Sequence, residues 1–249
     1  MTAVIVCAAG ASSRMNGVKK EFLPLEGRFD TTGNPLTVIG SAVSVFVSSK
    51  RIDIIVIVTL AKGEQKAHES LPPSLLGDVS TFFVEGGATR FASVHNALKA
   101  LVPLKPDYVL VHDGARPWIN IELVNAVVDA TVRYGAVVPL VPLVETPKEV
   151  EDVNGGRFVR RHLRRSHVAA AQTPQGFRFA ELLDAYEKAA LVKKEYTDDA
   201  EVWGEFCGSV AVVSGLNENK KITFPEDTLR VLDNFTTGVV RKGAPLTPS

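Results

Sequence analysis

The sequence predicts an α/β protein built on a single doubly wound, mostly parallel sheet. Short apolar, β-branched runs recur along the chain, and longer segments with helical periodicity separate them. Runs without alternating polar residues are typical of strands that helices cover on both faces of the sheet. The length of 249 residues suits one large α/β domain with an appendage.

The elements follow one another in a regular alternation. Six runs are predicted to be strands: 3–7, 54–58, 81–84, 108–111, 136–138 and 210–213. Five intervening segments are predicted to be helices: 39–49, 64–71, 90–101, 121–134 and 178–191. Two prolines at the end of the second helix favour its termination there, because proline cannot continue a helix. Strand and helix alternating at this spacing predict parallel pairing between successive strands.

Two segments depart from this alternation. Residues 27–35 are rich in turn formers and lack apolar periodicity, so we expect a loop. In 141–169, the sequence Asn154-Gly155-Gly156 separates two short β-prone runs and predicts a β-hairpin arm that leaves the sheet. We therefore expect one domain over residues 1–240, with the arm at about 141–169, and a disordered tail at 241–249.

Composition narrows the class of protein. Lys plus Arg and Asp plus Glu both number 28, so the chain lacks the basic excess typical of nucleic-acid and membrane-surface proteins. No apolar run approaches the roughly 18 residues that a membrane span needs, and no secretory signal is readable. Cys7 and Cys207 are predicted to be small buried side chains rather than a disulfide pair, which fits a cytoplasmic protein.

A loop of small residues follows the first predicted strand. It has the sequence AAGASSRM from Ala8 and is followed by KKEFLPL from Lys19. Small residues allow backbone N–H groups to approach phosphate oxygens, and Arg14 and Lys20 are spaced so that two cations face one triphosphate. The loop matches neither a dinucleotide fingerprint nor a P-loop. A structural turn with solvated basic residues is the alternative.

Two further motifs stand at predicted strand ends. In GGATRFASV, from Gly86, glycines would admit a flat base and Ser93 can bond to it, whereas Arg90 either reaches phosphate or pairs with an acid. In VHDGARP, Asp113 ends a strand, where α/β sheets place ligand-binding groups. A carboxylate beside a triphosphate is the expected Mg²⁺ ligand, although a cap or turn role is common for such a residue. His112 is expected on the opposite face of the strand, in the core or behind the site.

Together these motifs resemble those of the 2-C-methyl-D-erythritol 4-phosphate cytidylyltransferases of isoprenoid precursor synthesis. The four motifs above are followed by PLVETPK, AQTPQGF, YTDDAE and NKKITFPED, in the family's order across about residues 3–230. The resemblance implies a Rossmann-like nucleotidyltransferase fold, CTP and a sugar-alcohol phosphate as substrates, and Mg²⁺ as cofactor. It also implies a homodimer that exchanges the hairpin arm.

The resemblance carries the family's functional residues onto this chain position by position. Arg14 and Lys20 match the cations that act on the α-phosphate, and Asp113 matches the metal ligand. The other matches are Ala8, Ala9 and Gly10 for CTP, Gly87 and Ser93 for cytosine, and Thr146, Arg165 and Lys221 for the acceptor. Alignment on the following Ile-Thr pair favours Lys221 over Lys220.

Competing functions differ in the features they require. A ribitol 5-phosphate cytidylyltransferase is the nearest alternative, but Ala115, Lys148 and the NKKIT stretch favour the methylerythritol enzyme. The GGATRFASV motif disfavours a transferase for UTP or GTP. A non-enzymatic nucleotide-binding protein would not need Arg14, Lys20, Asp113 and Lys221 together. A dinucleotide-dependent dehydrogenase needs a GxGxxG loop, which is absent from the sequence after the first strand.

Overall fold

The computed structural model describes residues 1–10, 12, 15, 17–30, 32–77, 79–192, 194–224 and 227. The predictions for Arg14 and for the 241–249 tail lie outside the described residues. The strands are β1 (Thr2–Cys7), β2 (Pro24–Phe29), β3 (Pro35–Thr37), β4 (Ile54–Thr59), β5 (Ser80–Glu85), β6 (Tyr108–Asp113), β7 (Ala136–Pro142), β8 (Lys148–Val153), β9 (Gly156–His162), β10 (Ala169–Ala171), β11 (Gln175–Arg178) and β12 (Ala211–Ser214). The α-helices are α1 (Val38–Ser48), α2 (Glu64–Glu69), α3 (Pro73–Leu76), α4 (Arg90–Leu101), α5 (Ile121–Tyr134), α6 (Phe179–Ala189) and α7 (Asp199–Phe206).

An eight-stranded sheet forms the centre of the molecule. Its order is β10-β7-β11-β6-β1-β4-β5, and β12 also pairs with β7. Pairing is parallel among β6, β1, β4 and β5 and between β7 and β12, whereas β10 and β11 run antiparallel to their neighbours. The predicted mostly parallel sheet is confirmed, and it is modified by two short antiparallel strands that sequence reasoning did not identify.

Helices cover both faces of this sheet. Val4 and Val6 of β1 join a buried cluster with α1 and α5, whereas Ala3 and Ile5 join a second cluster with α4, α6 and α7. Because successive side chains of a strand point to opposite faces, β1 must be apolar at every position to fill both clusters. The continuous apolar runs read from the sequence therefore reflect two separate layers of core.

Most predicted elements are present within a few residues of their predicted bounds. The main error is at 27–35, where a loop was predicted but β2 and β3 form a small antiparallel hairpin. Its turn is organised by Asp30, whose carboxylate accepts hydrogen bonds from the backbone N–H groups of Thr32 and Asn34. In the described part of the chain, no helix is both long and apolar enough to cross a membrane.

The predicted hairpin arm is formed by β8 and β9. Asn154 and Gly155 have φ values of 50° and 79°, which is the backbone of a tight two-residue hairpin turn. The two strands pack chiefly on each other, and Val150, Phe158 and Val159 remain exposed. An isolated two-stranded hairpin is marginally stable in water, so this apolar surface is available for a partner.

Candidate active site

The carboxyl ends of the parallel strands bring the predicted motifs to one edge of the sheet. Cys7 at the end of β1 is in register with Asp113 at the end of β6, and Thr59 of β4 with Glu85 of β5. The loops that follow these strands therefore start side by side. This is the edge at which open α/β sheets bind ligands.

The loop after β1 extends along this edge. The N–H of Ala8 donates to the carbonyl of Val58 at 2.8 Å, and the space beside Gly10 is open. The ammonium group of Lys19 donates to the Gly10 carbonyl. Lys20 begins a short 3₁₀ turn and is buried. The structure thus brings Ala8, Gly10 and Lys20 into one region, and it leaves the role of Arg14 a prediction.

The loop after β5 lies directly against the first loop. A Cβ atom added to Gly86 would lie 2.4 Å from the Cβ atom of Ala9, and one added to Gly87 would lie 2.4 Å from that of Ala92. Ser93 accepts a hydrogen bond from the Gly87 N–H at 3.1 Å and donates one to the Thr89 carbonyl at 2.8 Å. Gly86 allows the close approach to the first loop, Gly87 allows tight packing on Ala92, and Ser93 holds the loop at the start of α4.

Substitution of Gly87 tests the importance of that tight packing. We expect Gly87→Ala to raise the KM for CTP and to destabilise the protein by about 1–3 kcal/mol, because the loop must shift to relieve the overlap. Gly204→Ala is the matched control: a Cβ atom there meets nothing within 4 Å, and alanine stabilises a helix by up to about 1 kcal/mol over glycine. Steady-state kinetics and thermal unfolding would measure both effects. An unchanged KM for CTP in Gly87→Ala would contradict this role of the loop.

Asp113 is the buried carboxylate of the site. Its Oδ2 atom lies 3.0 Å from Lys221 Nζ and 3.4 Å from Arg116 Nε, and its Oδ1 atom lies 3.6 Å from Arg90 Nε. Burial alone would raise the pKa of Asp113, but Lys221, Arg90 and Arg116 together hold this pKa well below its ordinary value. Asp113 is therefore ionised at neutral pH and is available to a cation.

Arg90 joins this cluster to α7. Its guanidinium group binds both carboxylate oxygens of Asp199, at 3.1 and 2.7 Å, and Asp199 also accepts a hydrogen bond from the Tyr186 hydroxyl at 2.5 Å. Asp199 is fully buried. Of the two roles left open for Arg90, the structure shows pairing with acids, because its fork is occupied by Asp199. Such two-point pairing fixes the guanidinium plane.

Sequence reasoning missed several residues that complete the site. Arg116 contacts Asp113 and donates to the Asn219 carbonyl at 2.8 Å, and Thr173 accepts a hydrogen bond from the Asp113 N–H at 3.0 Å. Arg116 stands within DGARP, and its spacing of three residues from Asp113 was an available signal. Thr173 stands within AQTPQGF, but no local pattern indicates that β11 would bring it beside β6.

The predicted acceptor-binding residues separate into two groups. Lys221 lies in the Asp113 cluster, and its contact with the acceptor stays a prediction. Thr146 and Arg165 lie at the base of the arm, beyond the ends of β8 and β9, where Arg165 donates to the Val144 carbonyl at 2.8 Å. Within the described residues, no hydrogen bond or ion pair joins Thr146 or Arg165 to Asp113 or Lys221.

The described residues fit Mg²⁺ as an ion held by a single carboxylate. In the described ranges, no group of three or more His, Cys, Asp or Glu side chains could hold a metal ion. A lone ionised carboxylate still suits Mg²⁺, which takes few protein ligands and completes its octahedron with water and substrate phosphates. Asp113 is such a carboxylate, and its strand is in register with β1, which leads into the small-residue loop.

Comparison with known proteins identifies the family. The family model described as 2-C-methyl-D-erythritol 4-phosphate cytidylyltransferase matches residues 2–233. The chain belongs to this family. A protein of that name from Geobacillus thermodenitrificans is 37% identical over 226 residues, which are 90% of this chain and 92% of that protein. The match makes this chain a nucleotidyltransferase, and the dehydrogenase and purely binding alternatives are not favoured.

Other members of the cytidylyltransferase family resemble the chain in architecture. The crystal structure of 4-diphosphocytidyl-2C-methyl-D-erythritol synthase from Anaerococcus prevotii superposes with a TM-score of 0.79 at 28% identity, covering 94% of this chain and 96% of that one. A Bradyrhizobium protein named bifunctional enzyme IspD/IspF is 36% identical over 233 residues, which are 92% of this chain but 55% of that protein. The doubly wound fold predicted from the sequence is therefore the family's fold.

Proposed function

We propose that the chain transfers the cytidylyl group of CTP to 2-C-methyl-D-erythritol 4-phosphate and releases pyrophosphate. The observation that carries this proposal is the ionised, buried Asp113 surrounded by Lys221, Arg116 and Arg90 beside the Ala8–Gly10 loop. A phosphate oxygen of the acceptor attacks the α-phosphorus, the bond from that phosphorus to the β-phosphate oxygen breaks, and pyrophosphate leaves. The nucleophile is already ionised, so the reaction needs positioning and charge neutralisation rather than a strong base.

Each group of residues has a distinct task in this reaction. The small residues Ala8, Ala9 and Gly10 are proposed to form the loop that holds the CTP phosphates, with the Ala8 N–H anchoring the loop to Val58, and Gly87 and Ser93 are proposed to form the position for the cytosine ring. Lys20, together with Arg14, is proposed to neutralise the charge that develops on the α-phosphate. Lys221 and the arm residues Thr146 and Arg165 are proposed to hold the acceptor.

We infer that Mg²⁺ is the cofactor and that the Asp113 carboxylate is its protein ligand. When bound, Mg²⁺ would neutralise triphosphate charge and polarise the phosphoryl group. The low pKa of Asp113 keeps the carboxylate ionised across the physiological pH range. The cytoplasm is the proposed location, which agrees with two cysteines that are both free thiols, although Cys207 is exposed rather than buried as predicted.

Pyrophosphate release is the direct test of the proposed reaction. We expect release with CTP and 2-C-methyl-D-erythritol 4-phosphate in the presence of Mg²⁺, and its loss when the metal is chelated. Ribitol 5-phosphate is the matched acceptor control, and its turnover at an equal kcat/KM would contradict the assigned acceptor. UTP and GTP test the choice of base in the same assay.

The arm is proposed to complete the acceptor site of a second copy in a homodimer. Two observations and two general properties support this proposal. The exposed apolar side chains of β8 and β9 need a surface to pack on, and the base of the arm carries Thr146 and Arg165. Exchange of identical arms is a recognised route to a twofold dimer. The planar fork of Arg165 suits a phosphate because it donates to two oxygens at once.

Mixing two inactive variants tests this exchange. Asp113→Asn disables the Asp113 cluster but keeps the arm intact. Arg165→Ala impairs the arm but keeps the Asp113 cluster intact. If the arm acts on the partner, a random mixture recovers about a quarter of wild-type activity, because half of the dimers contain one complete site of two. A mixture of Arg164→Ala with Asp113→Asn is the control, because Arg164 is an exposed arginine next to Arg165 that has no proposed role in the acceptor site. Sedimentation gives the oligomeric state, and a monomeric wild-type chain with full activity would refute the exchange.

A further inference from the structure

A closed ring of hydrogen bonds lies immediately behind Asp113. The Asn219 side-chain amide donates to the Thr173 carbonyl at 2.9 Å, and the Thr173 hydroxyl lies 3.1 Å from His112 Nδ1. His112 Nε2 lies 3.2 Å from the Arg116 carbonyl, and the Arg116 guanidinium donates to the Asn219 carbonyl at 2.8 Å. These four hydrogen bonds thus form a closed circuit through four residues, which come from three separate segments of the chain.

The direction of each hydrogen bond in the ring follows from its partners. A carbonyl oxygen only accepts, so His112 Nε2 must carry the hydrogen that it shares with Arg116. Nδ1 is then the acceptor for the Thr173 hydroxyl, and that hydroxyl accepts the Asp113 N–H at 3.0 Å. All four donors therefore point the same way around the ring. The Asp113 N–H, the Thr173 hydroxyl and the His112 imidazole form one continuous chain that ends at the Arg116 carbonyl, and hydrogen bonds in such a chain polarise one another.

The environment of His112 keeps its ring neutral, as this arrangement requires. The side chain is fully buried, and its ring packs edge-on against Phe46 of α1 with 5.1 Å between centroids. Burial of the ring against Phe46 disfavours the charged imidazolium, because a buried charge loses its hydration. His112 is therefore separated from substrate, in agreement with its expected place behind the site.

We propose that His112 is a positioning residue whose two ring nitrogens fix Asp113, Arg116 and Lys221 relative to one another. Through Thr173 the ring holds the backbone N–H of Asp113, and through its own Nε2 it holds the backbone carbonyl of Arg116. Asn219 orients the Arg116 guanidinium and stands two residues before Lys221. The proposal rests on the assignment of this cluster to catalysis under the proposed function.

Substitutions of His112 separate the effects of its two hydrogen bonds, one with the Thr173 hydroxyl and one with the Arg116 carbonyl. His112→Phe removes both hydrogen bonds and keeps the ring volume, and we expect kcat to fall about 10- to 100-fold, because small misplacement of catalytic groups costs up to two orders of magnitude. His112→Gln places an amide N–H near the position of Nε2, so we expect it to restore part of kcat. The KM for CTP should change less than kcat, since the residues proposed to contact CTP directly lie in the loops after β1 and β5.

His95→Phe is the matched control. His95 is also buried, in α4, and within the described chain its Nε2 atom has no hydrogen-bond partner. The same substitution there changes a buried imidazole without breaking a ring nitrogen's hydrogen bond, so kcat should stay at the wild-type value. Equal kcat values for His112→Phe and His95→Phe would overturn the proposal. So would a loss of kcat in His112→Phe that His112→Gln does not relieve.

A measurement without turnover keeps the test independent of enzyme activity and of variant folding. ¹⁵N NMR of histidine-labelled wild-type protein should show His112 as the neutral tautomer with hydrogen on Nε2. In Thr173→Val, the Nδ1 resonance should move because its donor is lost, whereas Thr173→Ser should leave it near the wild-type position. The opposite tautomer would overturn the ring. Absence of pyrophosphate release by the wild type would instead refute the proposed function, and the NMR result would still decide the ring.

Discussion

Asp113→Asn is expected to lower kcat on the order of 10³-fold, because the change removes the charge that would hold Mg²⁺ and that now pairs with three cations. The substitution preserves the size of the side chain, so the loss reflects charge rather than a cavity. Lys221, Arg116 and Arg90 would remain around a neutral amide. Pyrophosphate release measures the effect, and thermal unfolding checks that the variant is folded.

Asp129→Asn supplies the comparison for this variant. Asp129 is an exposed carboxylate that pairs with Arg51 at 2.6 Å on the surface, where ion pairs contribute little to stability. Its kcat should equal that of the wild type. A folded Asp113→Asn enzyme with near wild-type turnover would remove the metal-binding role assigned to Asp113.

Lys20→Met is expected to lower kcat by about 10² to 10³, the usual effect of losing one group that stabilises charge in the transition state. Methionine keeps an apolar stem of similar length, which matters because Lys20 is only 7% exposed. The KM for CTP should change less than kcat, as expected for an interaction formed mainly in the transition state. Initial rates over a range of CTP concentrations separate the two constants.

Lys66→Met is a suitable control for Lys20. The Lys66 ammonium group lies 5.8 Å from the centroid of the Phe22 ring, close to the 3₁₀ turn that contains Lys20, but its side chain is exposed. Its loss should leave kcat unchanged. If Lys20→Met instead raises the KM for CTP while kcat holds, Lys20 binds the ground state and its proposed role is wrong.

The fold could be predicted largely from the sequence because buried parallel strands have a recognisable pattern of continuous apolar residues. Runs such as 54–58 are apolar at every position, since both faces of the sheet are covered. Helices α4 and α5 were predicted at their observed bounds, and each begins with a side chain that caps its first turn, Thr89 and Asn120 respectively. The β2–β3 hairpin was missed because its short strands carry no apolar alternation.

The site was predicted less completely, for physical reasons that differ between residues. Asp113 and Lys221 belong to recognisable motifs, and the structure brings them into contact. The partnership of Arg90 with Asp199 joins residues 109 apart in the sequence, and nothing local to either residue specifies it. For Ser93, the observed hydrogen bonds are to the backbone of its own loop, so contact with cytosine stays a prediction.

The long sequence separation of these contacts also determines when the site can assemble. Arg90 depends on α7, and Arg116 depends on Asn219, which lies 103 residues later. During synthesis the amino-terminal strands can pair early, but the contacts of Arg116 with Asn219 and of Asp113 with Lys221 require residues that follow the last strand. Contacts between distant segments form slowly because loop closure must precede them. Completion of this cluster is thus expected late in folding, and a chain interrupted before β12 would carry its nucleotide loops and Asp113 without Asn219 and Lys221.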